Sequence, residues 1–447
     1  MTTPICDFVR AYAERSPMRL HMPGHKGEGP LGLEALDITE VTGADVLFNA
    51  CGIIRESQQN AARLFGTAKT LYSTEGSSLS IRAMLYLACL YAKEQGSVAC
   101  RIAAGRNAHK TLISAAALLD FEIDWLYGES LLCCDITAKS VEDYLDHCCL
   151  LPTAVYLTSP DYLGNTLDIA SIAEVCHARG VLLLVDNAHG AYLKFLPEDR
   201  HPITLGADAS CDSAHKTLPA LTGCGYLHLS KCAPKLFWDE AESAMSLFAS
   251  TSPSYLLLQS LDALNAVLEH GYREKLTLLC EQTKLLRDRL LNQGFELLGD
   301  EPTKLTIAPH SYGYTGTELA ELLFAHKMVC EFYDRDFLVA MLSPSHTPED
   351  LSRLAEVLLA LPRRDAIQES APAPHHAECA MSIRQATFSP KERLPVVQCL
   401  GRVFASMSVS CPPAIPVAVC GEIIDEQTID RLCYYGIREC EVVSDHK

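Results

Sequence analysis

The sequence predicts an α/β fold with a mostly parallel central sheet, followed by a small α+β domain and a C-terminal domain. Between about residues 60 and 230, continuous apolar runs alternate with segments of helical period, which is typical of parallel strands covered on both faces. After residue 295 the elements are shorter and mixed, and the polar, Pro- and Ala-rich stretch "RRDAIQESAPAPHHAE" is typical of a linker. We therefore divide the chain into an N-terminal segment, a large domain, a small α+β domain, and a linker with a C-terminal domain, at residues 1–60, 61–295, 296–365 and 366–447.

Local patterns predict the individual elements. "SSLSIRAMLYLACLYAKEQG" has apolar residues at helical spacing, and "SIAEVCHARG" is a second helix. "VLLLVD" is a fully buried strand, and the large domain's other strands are "SVACRIAAG", "TAVYLTSP", "DASCDS" and "GCGYLHLS". Residues 235–295 have a helical pattern, and the small domain contains "KLTIAP", the helix "TELAELLFAHKMV" and the strand "DFLVAML". In the last helix of that domain, Thr347 is the predicted N-cap, with Pro348 at N1 and Asp350 at N3.

Composition excludes several classes of function. The formal net charge of −19 argues against non-specific nucleic-acid binding, which needs clustered positive charge. The 20 cysteines form no C-x-x-C pair, which favours reduced thiols in a cytoplasmic protein over a zinc site or a disulfide framework. The first residues have no apolar signal region, and no stretch reaches the ~20 apolar residues that cross a bilayer. We therefore expect a soluble, cytoplasmic protein with no membrane, nucleic-acid or metal partner.

Three segments carry residues suited to catalysis, and each also has a structural interpretation. In "STEGSSLS", Gly76, Ser77 and Ser78 open a helix, where backbone N–H groups and hydroxyls suit a phosphate, although a plain serine N-cap explains them too. Asp186 ends a buried strand and needs a partner, which a cap or a salt bridge would also supply. In "CDSAHKTLPALTG", Lys216 lies among small and hydroxyl residues, in what reads as a buried or half-buried loop, unless it is a surface lysine.

Together the three segments are more specific than any one of them. Carboxyl ends of strands in an α/β sheet meet at one edge, where ligands bind. A phosphate cradle, an acid and a lysine at that edge are what pyridoxal phosphate (PLP) requires. The lysine forms a Schiff base with the aldehyde, and the acid pairs with the ring nitrogen.

The order of motifs resembles the Orn/Lys/Arg decarboxylases, which have the aspartate-aminotransferase-like PLP fold, and it is closest to their shorter, biosynthetic-type members. The resemblance rests on "LHMPGHKGE", "DITEVTGADVLFNACGIIRESQQNAARLFGTAKTLYSTEGSS", "RNAHKT", "VDNAHGAY", "SAHKTLPALTG", "EFYDRDFLVAMLSPSHT" and "SCPPAIPVAVCGE". It implies PLP-dependent decarboxylation of arginine, lysine or ornithine to an amine, as in polyamine biosynthesis. It also implies a homodimer or a dimer-based oligomer whose sites the partner subunit completes.

The resemblance also implies roles for single residues. Lys216 carries the Schiff base, Asp186 binds the ring nitrogen, and His109 stacks on the ring. The residues that it assigns to binding of the phosphate are Gly76, Ser77, Ser78, Ser213 and His215. His189 lies beside the cofactor, and Lys216, His189 or His215 protonates the substrate Cα. Glu422 is the candidate partner for the substrate's distal cation, ahead of Asp425 and Glu75, although a solvated surface carboxylate explains Glu422 equally well.

Departures from the family pattern leave alternatives open. Asn187 and Tyr192 stand where Glu and His are usual, and "PAIP" (residues 413–416) replaces P-G-I-P. Another reaction of this fold class, such as transamination with Arg335 gripping the carboxylate, or an inactive PLP-binding paralogue, fits these changes. "GEGPLG" matches a dinucleotide fingerprint but follows no predicted strand, and the pair His375 and His376 lacks further metal ligands.

Overall fold

The helices and strands alternate over most of the chain, as the sequence predicts. The computed structural model describes residues 1–128, 135–372, 376–407, 409–410 and 416–445. The helices are α1 (Pro4–Glu14), α2 (Ile53–Phe65), α3 (Gly76–Glu94), α4 (Lys110–Leu119), α5 (Ala138–His147), α6 (Ile169–His177), α7 (Ala214–Thr217), α8 (Lys235–Phe248), α9 (Tyr255–Glu269), α10 (Tyr272–Gln293), α11 (Gly316–Ala325), α12 (Pro348–Leu359), α13 (Ile383–Phe388) and α14 (Glu426–Tyr434). The strands are β1 (Lys69–Ser73), β2 (Arg101–Gly105), β3 (Glu122–Leu126), β4 (Ala154–Thr158), β5 (Leu182–Asp186), β6 (Ala209–Asp212), β7 (Gly225–Leu229), β8 (Glu296–Leu298), β9 (Lys304–Ala308), β10 (Phe332–Tyr333), β11 (Leu338–Met341), β12 (Lys391–Pro395), β13 (Val409–Ser410), β14 (Pro416–Ala418) and β15 (Glu439–Val443).

The chain forms two compact units that are interleaved in sequence. The first unit comprises residues 1–98, 153–159 and 169–277. The second comprises residues 99–152, 160–168 and 278–447. The division into four consecutive segments that the sequence suggested stays a prediction.

The first unit is built on strands in the order β1-β7-β6-β5-β4. β4, β5 and β6 are parallel, whereas β7 pairs antiparallel with both β6 and β1. The mostly parallel α/β architecture is thus confirmed, with one reversed strand. Because β5 and β6 run the same way, Asp186 and Asp212 end at the same edge of the sheet.

A buried carboxylate anchors the N-terminal helix to the first unit. Asp262, on α9, accepts hydrogen bonds from the backbone N–H groups of Ile5 and Cys6, each at 2.9 Å. These donors are among the N–H groups that a helix leaves unpaired at its start, where negative charge is also favourable. Ser57 donates to the other Asp262 oxygen at 2.6 Å, so α1, α2 and α9 share one polar centre.

The second unit contains the parallel pair β2 and β3, together with the elements predicted for the small α+β domain. Of the latter, β8 to β11 form an antiparallel sheet in the order β10-β11-β9-β8. Thr347 caps α12 in a capping box with Asp350, and Pro348 opens the helix, which confirms the predicted start. In the C-terminal part, β12 pairs with β15 and β13 with β14.

Across the described residues, every helix is too short or too polar to cross a bilayer.

Candidate active site

The predicted lysine lies directly after β6, on the single-turn helix α7. Its Nζ is 3.0 Å from Nε2 of His189, which follows β5. Ser213, Ala214 and Thr217 are buried, as expected for most of this stretch, but the Lys216 side chain itself is exposed. Successive helical residues point about 100° apart, so Ala214 and Thr217 face the core while Lys216 faces solvent.

Asp186 is buried at the end of β5, and both of its oxygens have donors. The backbone N–H of Ala188 donates to Oδ1 at 3.1 Å, and the thiol of Cys211 lies 3.5 Å from the same oxygen. The phenol of Tyr156 donates to Oδ2 at 3.1 Å. Burial, reinforced by the charge of Asp186, raises the pKa of Tyr156 and of Cys211 well above their usual values, so both donors keep their protons.

The predicted phosphate cradle lies at the start of α3. Gly76 opens this helix with a φ of +66°, and Ser213 donates to the hydroxyl of Ser77 at 2.8 Å. Ser78 is half-buried in the same turn. His215 lies beside Gly76 and contacts the Cys224 carbonyl through Nδ1 at 2.9 Å. Hydroxyls, an imidazole and the N-terminus of a 19-residue helix therefore meet at one place.

A buried histidine–aspartate cluster lies close to Asp186 in the sheet, around the residue that follows Cys211, the register partner of Asp186. His201 and His228 both contact Oδ2 of Asp212, at 3.0 and 3.3 Å, and all three side chains are fully buried. Asn187 donates to the other Asp212 oxygen at 2.8 Å. Burial would raise the pKa of Asp212, but the contacts with both histidines outweigh burial and hold this pKa well below its usual value.

The tautomer of His201 distinguishes between a metal site and a hydrogen-bonded network in this cluster. Its ligand atoms lie within 4.8 Å of those of Asp212 and His228, a spacing that metal ligands also have. However, Nδ1 of His201 accepts a hydrogen bond from the backbone N–H of Ile203 at 3.3 Å, so Nε2 carries the proton and donates to Asp212. The cluster is a hydrogen-bonded network that ends, through Asn187, beside Asp186.

His109 and Glu422 belong to the second unit, unlike the residues above. His109 is the N-cap of α4, and its Nδ1 accepts from the backbone N–H of Thr111. Glu422 is buried and pairs with Arg106 through both oxygens, at 2.7 and 2.9 Å, while Trp125 lies under the guanidinium at 5.0 Å. This intrachain ion pair argues against the predicted contact of Glu422 with a substrate cation.

The weaker candidates also have local partners. Asp425 caps α14, and Glu75 accepts from the backbone N–H of Ser250. Arg335 pairs with Glu369 and lies against the ring of Tyr434. His376 stacks on Tyr127, with 3.6 Å between ring centroids. His375 and residues 411–415, which include most of the "PAIP" segment, lie outside the described residues.

The structure also shows residues around these candidates that sequence reasoning missed. Asp212 ends a buried strand, as Asp186 does, and that shared signal marks it in the sequence. Tyr156 and Cys211 give no such signal, because a tyrosine or a cysteine inside an apolar strand reads as core. Arg106 stands in the quoted "RNAHKT", but its partner is 316 residues away.

Comparison with known proteins shows the family of the chain. Residues 3–306 match the family described as Orn/Lys/Arg decarboxylase, major domain. An arginine decarboxylase of Halalkalibacterium halodurans is 31% identical, over 96% of this chain and 92% of the relative, and one of Bacillus subtilis is 29% identical, over 96% and 93%. The constitutive lysine decarboxylase of E. coli superposes with a TM-score of 0.77 at 18% identity, covering 99% of this chain and 82% of that one. Lysine decarboxylase A of Pseudomonas aeruginosa gives 0.80 at 18% identity, covering 99% and 80%. The chain belongs to the Orn/Lys/Arg decarboxylase family.

Proposed function

We propose that this chain uses PLP to decarboxylate a basic amino acid, with arginine as its preferred substrate. One observation carries the proposal: the first unit alone brings a lysine–histidine pair, a buried aspartate and a hydroxyl-lined helix start to one edge of its sheet. The choice of arginine rests on the two arginine decarboxylases that are 29% and 31% identical over nearly the whole chain.

The chemistry of the donor set fits PLP. Gly76, Ser77, Ser78, Ser213 and His215 would hold the phosphate, because they combine a helix N-terminus with hydroxyl and imidazole groups. Asp186 would hold the ring nitrogen, Lys216 the aldehyde carbon, and His109 one face of the ring. When bound, PLP supplies the electron sink for the electrons of the broken Cα–carboxylate bond.

The chain's own residues handle the proton. Nζ of Lys216 and Nε2 of His189 are 3.0 Å apart, so a proton on one nitrogen is shared with the other. After CO2 leaves, this pair returns a proton to Cα of the substrate. His215 is the weaker candidate for this step, because its Nδ1 is engaged by the Cys224 carbonyl.

The contact for the distal guanidinium of arginine is not assigned to Glu422. A substrate cation would compete there with Arg106, which lies close to both Glu422 oxygens in a buried ion pair that is backed by an aromatic ring. The family resemblance implies a homodimer, and an acidic residue of the partner subunit would satisfy the same requirement.

The test is a comparison of three substrates. Purified protein and PLP are incubated with carboxyl-labelled arginine, lysine or ornithine, and released CO2 and amine are measured. We expect agmatine from arginine at the highest kcat/KM, and a loss of roughly 100-fold or more in Lys216→Ala. Turnover of lysine or ornithine alone would contradict the substrate choice, and no turnover of any of them would refute the activity.

Two further outcomes separate the alternatives. Conversion of the cofactor to pyridoxamine phosphate by an amino acid would indicate transamination, although Arg335 is already paired with Glu369. A visible PLP absorbance band that disappears in Lys216→Ala, without turnover in the parent protein, would indicate a PLP-binding protein that is not a decarboxylase.

A further inference from the structure

Tyr156 is a fully buried tyrosine whose hydroxyl has one specific target. It lies in the middle of β4, beside Leu184 in the register with β5, and its hydroxyl reaches Oδ2 of Asp186 at 3.1 Å. On the other oxygen of Asp186, the donors are the backbone of Ala188 and the thiol of Cys211. Tyr156 is thus the side chain that orients Oδ2.

A second buried tyrosine on the same sheet provides the contrast. Tyr226, on β7, is also fully buried, but within the described part of the chain its hydroxyl has no hydrogen-bond partner. Burial in this sheet therefore does not by itself give a tyrosine hydroxyl a partner. The contact of Tyr156 with Asp186 is a separate feature of the site.

We propose that Tyr156 is a positioning residue for PLP, which fixes the Asp186 carboxylate in the orientation that the pyridine nitrogen needs. This inference rests on the proposed function, because it assumes that Asp186 pairs with the ring nitrogen. It adds a strand, β4, that the sequence did not connect with the cofactor.

The physical reason lies in the cost of a buried charge. A carboxylate that is removed from water stays ionised only if donors replace the water that it has lost. A neutral phenol does this without neutralising the carboxylate, so the negative charge stays available to a pyridinium N–H. An arginine or a lysine at position 156 would instead neutralise Asp186 before the cofactor bound.

Other ionisable groups near Asp186 stand on neighbouring strands. Cys211 faces it from β6, and Asp212 with His201 and His228 is reached through Asn187. Beyond the end of β5, His189 and Lys216 form their own contact. None of these contacts includes the Tyr156 hydroxyl, so the effect of removing that hydroxyl on PLP affinity reports on Asp186.

The experiment compares Tyr156→Phe with Tyr226→Phe, two changes that each remove one buried hydroxyl. PLP is titrated into the apo forms of the parent and of both variants at neutral pH. Its Kd is measured by visible absorbance, and the midpoint of thermal unfolding is measured beside it. In Tyr156→Phe we expect a Kd roughly 10-fold higher than in the parent at neutral pH, as for a lost hydrogen bond to a charged group. Tyr226→Phe should keep the parent's Kd.

A merely structural role for Tyr156 would lower the unfolding midpoint and leave the Kd of the folded variant for PLP unchanged, and that result would overturn the inference. Cys211→Ala, which removes a donor to Oδ1, should weaken PLP binding in the same direction by a smaller factor, and it serves if Tyr156→Phe does not fold. If every variant that folds binds PLP as tightly as the parent does, the inference about Tyr156 is overturned and the proposed function is not. Failure of the parent to bind PLP would overturn the proposed function and this inference with it.

Discussion

Asp161 shows at the scale of one residue how burial sets a carboxyl group's behaviour. Burial raises its pKa from 3.8 to about 6, although the backbone and side chain of Asn165 donate to it. Between about pH 4 and 6 the native state therefore keeps a proton that the unfolded chain has released, so the free energy of unfolding falls as pH rises through this window. The loss attributable to Asp161 is at most about 3 kcal/mol.

We predict that Asp161→Asn removes this part of the pH dependence. Urea unfolding of the parent and the variant at pH 4, 5, 6 and 7 measures this dependence. The free energy of unfolding of the variant, minus that of the parent, should increase as pH rises. A constant difference across the series would show that Asp161 does not titrate in this window.

The Arg106–Glu422 pair carries a second prediction at this scale. Removing one charge of a buried pair leaves the other uncompensated, so Glu422→Gln should lower the free energy of unfolding by roughly 3 kcal/mol. The matched control is Glu441→Gln, because the pair of Glu441 with Arg393 has a similar distance of 3.1 Å but an exposed setting. The control should lose less than about 1 kcal/mol. Equal losses in denaturant unfolding would contradict the stabilising role of the buried pair.

Single residues also show how far the sequence predicts the site. Lys216, Asp186 and the Gly76–Ser78 turn each have a local signal, a misfit of polarity or a helix start, and the structure places them in one unit. The pairing of Glu422 with Arg106 joins positions 316 residues apart, and nothing near either residue indicates it. For that reason, sequence reasoning chose Glu422 as the contact for a substrate cation, whereas in the structure Glu422 pairs with Arg106 of its own chain.

At the scale of elements, the packing of α3 against β7 depends on a missing side chain. A Cβ at Gly225 would lie 2.9 Å from the carbonyl carbon of Gly76 and 3.0 Å from the Asp212 backbone oxygen. Both neighbours are backbone, so neither can move aside without shifting the helix start or β6. Only glycine at the first residue of β7 allows the start of α3 to pack this closely against the sheet.

We predict that Gly225→Ala destabilises the protein by about 1–3 kcal/mol, as overpacking does, and weakens PLP binding by moving the turn that holds Gly76 and Ser77. The control is Gly24→Ala, because a Cβ at Gly24 would meet no atom within 4 Å. Thermal unfolding and PLP titration measure the two effects. Loss of stability without any loss of PLP affinity would mean that α3 keeps its place.

The type and the start of an element were predictable where the residues of that element determine them. The start of α12 follows from Thr347, Pro348 and Asp350, and all three have the predicted positions. The reversed direction of β7 was not predictable, because the loop after α7 sets it, and "GCGYLHLS" has the same apolar pattern in either direction. The single-turn helix α7 is too short to give a periodic signal.

At the scale of the whole molecule, the cysteines give a test of its redox chemistry. The seventeen cysteines in the described residues are free thiols, and burial raises the pKa of Cys176 to about 12 and of Cys224 to about 11. Thiols of this kind hold little of the reactive thiolate at neutral pH.

We predict that a thiol reagent such as DTNB labels only a minority of the 20 cysteines in the native protein and all of them after unfolding in denaturant. The unfolding midpoint should also be the same with and without a reducing agent. A lower midpoint after reduction would show that a disulfide contributes to stability.

The interleaving of the two units affects how the chain folds during synthesis. Residues 99–152 leave the ribosome long before residues 278–447, with which they form one unit, while the first unit is complete once residue 277 has emerged. The first unit, with Lys216 and the predicted phosphate cradle, is therefore complete while an early segment of the second unit still lacks the residues that it packs against. Such segments are exposed to aggregation. Since the chain passes from one unit to the other five times, no single proteolytic cut separates the two units into intact fragments.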